Sequence, residues 1–283
     1  MARSLTSAVV RRPLAPRSAA RHALLVRLVR GTPHPALREI VGGYADFAER
    51  TGAPRETGEA PGRGIVVIVD LDIGWTVEGE RFESFAGGLY ARPVRVRHEG
   101  SSRGVQFDLE PPAVRRLLGV PAGELSNRTV ALDDLMGPGA AHLAERLHAA
   151  PDSAARFAVL DEVLLRRLAR APAGPRPDVE RAWALLRASG GRVRIDELAR
   201  ALGCSRRHLA ARFAEDVGVP PKVAARLIRF EAARARLGSV PLARLAAEHG
   251  FSDQAHLARE FRALGGAPPT AFPSVQDAGQ AAA

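Results

Sequence analysis

The stretch Leu198–Phe213 reads LARALGCSRRHLAARF, and Leu245–Phe261 reads LAAEHGFSDQAHLAREF. In both, Gly follows Ala by four residues, Ser follows Gly by two, and Phe follows Leu by four. Only the Ser-to-Leu step differs, by one residue. An internal repeat of this kind takes priority in the interpretation of a fold. The repeated positions are Ala199, Gly203, Ser205, Leu209 and Phe213 in the first copy, and Ala246, Gly250, Ser252, Leu257 and Phe261 in the second.

This spacing predicts two helices joined by a tight turn, once in each copy. The small Ala lets the helices approach, and Gly203 and Gly250 permit the positive φ of the turn. We expect Ser205 and Ser252 to cap the second helix of each pair. Leu and Phe, four residues apart, then face a small core and leave the opposite face for a DNA groove.

The segment between the copies, residues 221–237, is predicted to form a long helix that joins the two units. Residues 172–177 (PAGPRP) have the composition of a linker before the first unit. A single helix-turn-helix pattern is a weak signal. Two copies with a connecting helix are a much stronger one.

The region resembles the DNA-binding domain of the AraC family of regulators. The resemblance runs from about residue 179 to 272 and includes ELARALGCSRRHLAARF, RLIRFEAARARL and the Gly250–Gln254 run GFSDQ. It implies seven helices, with two recognition helices that enter successive segments of the major groove. The first recognition helix departs from the family pattern because it has Ala210 and Ala211 where polar or Arg residues are common. The Gly265–Pro269 segment is also looser than the family pattern.

The side chains that face away from the core are predicted to contact DNA. At 100° per residue, Arg207 and Ala211 oppose the inward face of the first recognition helix, and Ala255 and Arg259 oppose that of the second. The family's base-reading positions also include Gln254 and Ala258. The full predicted DNA-binding set is Arg206, Arg207, His208, Ala211, Arg212, Gln254, Ala255, His256, Ala258, Arg259 and Arg262.

The fold class predicted for the whole chain is α+β: a β-rich N-terminal domain, then helices, then an all-α tandem helix-turn-helix domain. Short apolar or alternating runs predict strands at residues 65–70, 81–85, 94–97 and 104–109. Helices are predicted at residues 111–119, 140–149 and 152–169. The predicted divisions are a basic extension (1–30), an effector-binding and dimerisation domain (31–175), the DNA-binding domain (178–273) and a tail (274–283).

Charge is distributed unevenly along the 283 residues, whose formal net charge is +10. Residues 1–30 carry +7, residues 31–177 carry −2, and residues 178–273 carry +6. The basic C-terminal region favours double-stranded DNA as a partner. We expect residues 1–30 to be a solvated extension whose deletion leaves folding and specific binding intact; a phosphate-binding arm is the alternative.

Several classes of protein are disfavoured. The single cysteine, Cys204, leaves no Cys-rich zinc site and indicates a reducing compartment, so we expect a cytoplasmic protein with no membrane partner. No metal-binding, nucleotide-binding or hydrolase motif is found, so no cofactor, metal or enzymatic activity is expected. A DNA-repair alkyltransferase, which needs several cysteines, is the least favoured alternative. A nucleic-acid-binding protein with no regulatory role is the main one.

The N-terminal domain is expected to bind a small-molecule effector, to form a homodimer, or both, and RNA polymerase is a further partner of such regulators. Five aromatic residues are candidates for an effector pocket, although for each of them a place in the core is the more frequent role. They are Trp75, Phe82, Phe85, Tyr90 and Phe107.

Overall fold

The computed structural model describes residues 7–8, 25–171 and 174–272. Most of the predicted basic extension, two residues of the linker and the predicted tail at 274–283 lie outside the described residues. Within them, a β-rich N-terminal region is followed by helices, which confirms the predicted fold class.

The strands of the described residues form two antiparallel sheets. The larger has the order β1-β2-β3-β10-β5-β8-β11, and the smaller has the order β4-β9-β6-β7. The strands are β1 (Ser7–Ala8), β2 (Leu25–Gly31), β3 (Val41–Arg50), β4 (Arg55–Glu59), β5 (Ile65–Asp70), β6 (Trp75–Val77), β7 (Glu80–Phe82), β8 (Phe85–Gly87), β9 (Val94–His98), β10 (Ser101–Leu109) and β11 (Thr129–Ala131).

Most of the α-helices follow the sheets in the chain, but the first, Val114–Leu118, precedes the last strand of the larger sheet, and a few short turns of 3-10 helix also lie among the strands. No helix in the described ranges combines the length and the apolar character that crossing a bilayer requires. The helices are α1 (Val114–Leu118), α2 (Leu132–Met136), α3 (Pro138–Ala149), α4 (Ser153–Ala169), α5 (Pro177–Ala188), α6 (Ile195–Ala201), α7 (Arg206–Val217), α8 (Pro221–Arg234), α9 (Leu242–Glu248) and α10 (Gln254–Gly265).

The central strands β5 and β10 have two different faces. Because side chains alternate along a strand, Ile65 and Val67 of β5 and Phe107 of β10 point together into the main core, where all three are fully buried. Their neighbours Val66 and Gln106 point the other way, towards the smaller sheet. The predicted strands at 65–70, 94–97 and 104–109 are thereby confirmed.

The predicted strand at residues 81–85 is wrong. The segment is divided between β7, in the smaller sheet, and β8, in the larger one. Phe82 and Phe85 therefore belong to different sheets, and their rings meet at a centroid distance of 5.8 Å. They are three positions apart in sequence, an odd interval that a single strand would place on opposite faces.

The folded region begins before the predicted boundary at residue 31. Strand β2 pairs with β3 over its whole length, and Val29 is buried. Arg27 contacts the fully buried Asp46 of β3 at 3.1 Å, and the same carboxylate accepts a hydrogen bond from Arg156 of α4 at 2.7 Å. Deletion of residues 1–30 would remove all of this strand except Gly31, so from the structure we expect the deletion to impair folding, contrary to the expectation from the sequence.

The first helix-turn-helix unit packs directly on the N-terminal domain. A 3-10 turn, Ala122–Leu125, lies against the C-terminal end of α7. A Cβ atom added at Gly123 would lie 2.4 Å from the carbonyl oxygen of Glu215, and one at Gly218 would lie 2.8 Å from that of Ala122. The two backbones approach so closely that only glycine fits at both positions.

The two recognition helices are capped by different residues. Ser205 accepts a hydrogen bond from the His208 amide and caps α7, as predicted. In α10 the cap is Asp253, whose carboxylate accepts from the His256 amide at 2.6 Å. The prediction that Ser252 caps this helix is wrong. The extra residue in the second copy puts Asp253 four residues before Leu257, the interval that separates Ser205 from Leu209.

We expect Asp253→Ala to lower the thermal midpoint by a few degrees, because α10 loses its N-cap acceptor. The neighbouring Ser252→Ala is the matched control and should change the midpoint much less. Hydrogen bonding from the His256 amide lowers the pKa of Asp253. The stabilisation is therefore present above the carboxyl's unfolded pKa and is lost as the pH falls through its lower folded pKa. Thermal melts at neutral and acidic pH check both points; an equal effect of the two substitutions would contradict the assignment.

Candidate nucleic-acid interface

Each repeated unit is built as a short helix, a glycine turn and a recognition helix. The turns contain Gly203 at φ +66° and Gly250 at φ +72°, in the left-handed region that favours glycine. Ala199 and Ala246 are buried where the two helices of each pair meet. Both predictions for the turns are confirmed.

The inward face of each recognition helix carries the apolar pair that the sequence indicated. Leu209 and Phe213 of α7 are fully buried, as are Leu257 and Phe261 of α10. The ring of Phe261 meets Phe230 of α8 edge to face, with centroids 4.8 Å apart. This packing fixes which face of each recognition helix is left for a partner.

The outward face of α7 exposes Arg206, Arg207, His208 and Ala211. Arg206 is bound to Asp196 of α6 at 2.9 Å. Arg207 makes no hydrogen bond or ion pair with any residue that the structure describes, so its guanidinium is available to a ligand. Arg212 is half-buried and occupied: its guanidinium lies 3.1 Å both from Asp178 and from the ring of His208.

The outward face of α10 exposes Gln254, Ala255, Arg259 and Arg262, whereas Ala258 is half-buried. Within the described residues, the guanidinium of neither Arg259 nor Arg262 forms a hydrogen bond or an ion pair. His256 serves the turn instead: its Nδ1 lies 3.2 Å from both the amide nitrogen and the hydroxyl of Ser252. Of the predicted set, the arginines that are best placed for a new partner are Arg207, Arg259 and Arg262.

Other arginines of this domain are held by local partners. Arg226 of α8 pairs with Glu260 of α10 at 2.9 Å. Arg244 and Arg236 both contact Glu248, and together they lower the pKa of that carboxyl. The guanidiniums of Arg207, Arg259 and Arg262 thus stay open to an external anion on the outward faces of α7 and α10, while other exposed cations of the domain, such as Arg181 of α5, lie outside these faces. No group of three or more His, Cys, Asp and Glu side chains in the described chain is arranged to hold a metal ion.

A second candidate site, a cavity of about 350 Å³, lies between the two sheets of the N-terminal domain. Trp75, Phe85 and Tyr90 line it, as the sequence suggested for these aromatics. Phe107 is instead part of the main core, and Phe82 packs beside the cavity in a small apolar cluster. The predicted strands at residues 65–70 and 104–109 were a signal for such a site. Their side chains point alternately to the two faces of the sheet, so the face opposite the main core must also be covered.

Charged side chains gather at one end of the cavity, called here the polar end. Sequence analysis did not identify them as a site, since they come from distant parts of the chain, including α8 of the DNA-binding domain. They are Glu59, Arg63, Asp108, Glu110, Glu231 and Arg234.

Hydrogen bonds at the polar end connect the cavity to the DNA-binding domain. Glu231 of α8 accepts from both the amide and the guanidinium of Arg63 at 2.8 Å. The buried Glu110 accepts from the indole of Trp183 at 2.8 Å and contacts Arg187 at 3.2 Å, both on α5. Arg63 also lies 3.5 Å from Glu110, so one continuous network joins β10, α5 and α8.

Comparison with known proteins gives one family match and several structural likenesses. A family model described as a helix-turn-helix domain matches residues 198–274. No curated protein matches the chain. The chain is similar to solved structures of ToxT from Vibrio cholerae: an apo variant (12% identity, TM-score 0.45, covering 90% of this chain and 97% of that one) and a form bound to an unsaturated fatty acid (11%, 0.45, 89% and 95%). A further ToxT structure gives 10% identity, a TM-score of 0.47, and 87% and 96% coverage.

The family match covers the second part of α6, the whole of α7 to α10 and the segment after them. It coincides with the repeat, the glycine turns and the two exposed recognition faces. Residues 198–274 are therefore a helix-turn-helix DNA-binding domain.

Proposed function

We propose that this chain is a transcription regulator that binds specific DNA sites through α7 and α10 and responds to a small molecule in the N-terminal cavity. The observation that carries the DNA-binding part is the pair of matched units, each with a buried Leu–Phe pair and an exposed face. Arg207, Arg259 and Arg262 on these faces are free of ion pairs with the described residues. A helix with this arrangement fits the major groove, where its outward side chains reach base edges.

The cavity supports the sensory part of the proposal. Its size and its apolar walls with a few polar groups are typical of small-molecule sites. Its polar end includes side chains of α8, the helix that joins the two DNA-binding units. A ligand that contacts Arg63 or Glu231 would alter the network that connects the two domains. Differential contact of this kind is what allows a ligand to change a distant equilibrium.

A homodimer and contact with RNA polymerase belong to the same proposal, through the family resemblance. Genes next to the coding sequence offer the first DNA to test, since regulators are often encoded beside their targets.

We expect the full chain to shift DNA that flanks its own gene in the presence of excess random DNA. If about five to eight phosphates are contacted, log affinity should fall with log salt at a slope of about −0.9 per contact. Mobility shifts across a salt series measure both properties. Complete competition by random DNA would favour a nucleic-acid-binding protein with no regulatory role, and a nearly flat salt dependence would argue against DNA binding itself.

Arg259→Ala should relax preference at one base pair of the site, with a loss of discrimination of about 1–3 kcal/mol if the guanidinium pairs with guanine. Ala211, at the equivalent position of α7, can offer only an apolar contact. The substitution is measured on the target and on a panel of single-base variants. Arg181→Ala is the matched control, because it removes one exposed charge from α5, outside both recognition helices. A uniform loss across all variants, with a salt slope smaller by about one, would assign Arg259 to phosphate.

A further inference from the structure

A second connection between the two helix-turn-helix units lies beside α8. It is formed by residues 190–192, in the loop that joins α5 to α6 and so leads into the first unit. Gly191 is buried, and its φ of +73° lies in the left-handed region that favours glycine. A Cβ atom added there would overlap the carbonyl oxygen of Ala225. The backbone of this loop therefore lies directly against the backbone of α8.

The same loop also reaches the second unit. The Cγ atom of Arg192 is 3.0 Å from the position that a Cβ atom of Gly250 would take, in the turn between α9 and α10. The guanidinium of Arg192 donates hydrogen bonds to the carbonyl oxygens of Ser189, at 3.0 Å, and of Glu248 at the end of α9, at 3.5 Å. The loop before the first unit is thus packed against the turn of the second.

Arg229 of α8 occupies the junction between this loop and this turn. Its guanidinium donates a hydrogen bond to the carbonyl oxygen of Gly191 at 2.8 Å. It also lies over the ring of the buried Phe251, 5.8 Å from the ring centroid. Its Cδ atom is 3.6 Å from the Cβ position of Gly250. One half-buried side chain therefore contacts the loop of the first unit and the turn of the second at the same time.

From these contacts we infer that Arg229 is a positioning residue: it fixes the relative placement of α7 and α10, and thereby the spacing between the two DNA half-sites that the protein accepts. The inference rests on the DNA-binding function proposed above and specifies how its two recognition helices are held. The apolar side chains of α8 pack with both units, but apolar packing is not directional. The hydrogen bond from Arg229 is directional, so it restricts the angle between the units.

The placement of the helices matters because DNA is itself helical. One base pair inserted between the half-sites moves the second groove segment by about 3.4 Å and rotates it by about 35°. A protein whose recognition helices are rigidly placed must deform the DNA to contact both segments, and that deformation costs free energy. A protein whose helices move relative to each other accepts the insertion with a smaller loss of affinity.

Two substitutions loosen the connection in different ways. Arg229→Met keeps an unbranched side chain and removes the guanidinium. Gly191→Ala leaves every charge in place and pushes the loop away from the carbonyl oxygen of Ala225. Lys222→Met is the matched control, because Lys222 is an exposed cation of the same helix that makes no hydrogen bond or ion pair with the described part of the chain.

The first measurement needs no DNA. Spin labels at Ala211→Cys and Ala255→Cys, two exposed positions on α7 and α10, report the distance between the recognition helices in the full chain, after Cys204→Ala removes the native thiol. The distance distribution should be narrow in the parent and in the control, and broader or displaced in both loosened variants. Thermal midpoints show whether each variant is folded. An unchanged distribution in both loosened variants overturns the inference.

The second measurement uses a site that the full chain selects from random DNA, remade with one base pair inserted or removed between the half-sites. The parent and the control should bind the selected spacing about tenfold more tightly than the altered ones. Arg229→Met and Gly191→Ala should reduce this preference to about twofold, because the DNA no longer has to be deformed.

The outcomes separate this inference from the function on which it rests. An equal loss of affinity at all spacings in Arg229→Met would mean that the side chain acts through charge or stability, and overturns the positioning role. A parent that binds its site without any spacing preference also overturns it and leaves specific DNA binding standing. If no site is selected, the proposed function fails, and the distance distributions alone decide whether Arg229 positions the two helices.

Discussion

A buried carboxylate, Glu110, determines how the two halves of the chain meet. A carboxylate removed from water must be paired and hydrogen-bonded, because an isolated buried charge is very costly. Its three partners come from two parts of the chain: Arg63 lies beside the cavity, and Trp183 and Arg187 lie on α5. The DNA-binding domain thus completes the end of strand β10, and the cavity next to it acquires a wall that belongs to that domain.

The helix α8 has two roles that its sequence pattern shows only in part. Its apolar residues Leu227 and Phe230 are fully buried and hold the two helix-turn-helix units in a fixed relation. Close to the same face, at its C-terminal end, Glu231 and Arg234 line the cavity. A displacement of this helix would therefore change the positions of both recognition helices at once.

Features that depend on local spacing were predictable, and features that depend on distant pairing were not. The tandem units followed from the interval between Ala, Gly, Leu and Phe, since helix contacts repeat within a few residues. Asp253 was not predicted as the cap because the cap position was counted forward from the glycine of the turn, which gives Ser252. The second copy has one additional residue before Leu257, and counting back from Leu257 gives Asp253. Strand β2 lies in an arginine-rich stretch whose burial depends on pairing with β3. The cavity arises where glycines such as Gly87 lie opposite another sheet, which no single stretch of sequence reveals. The base contacts assigned to Arg259 and its neighbours stay predictions.

The close backbone contact between Gly123 and the end of α7 bears on modularity. Regulators with separate sensory and DNA-binding halves invite the construction of chimeras, in which one half is exchanged for that of another protein. Here the exchange carries a steric condition: the incoming N-terminal half must present a glycine where Gly123 touches Glu215. It must also supply a carboxylate for Trp183. A working chimera of this protein therefore depends on matching the residues of the interface between the two halves, and a cut at the linker alone is not sufficient.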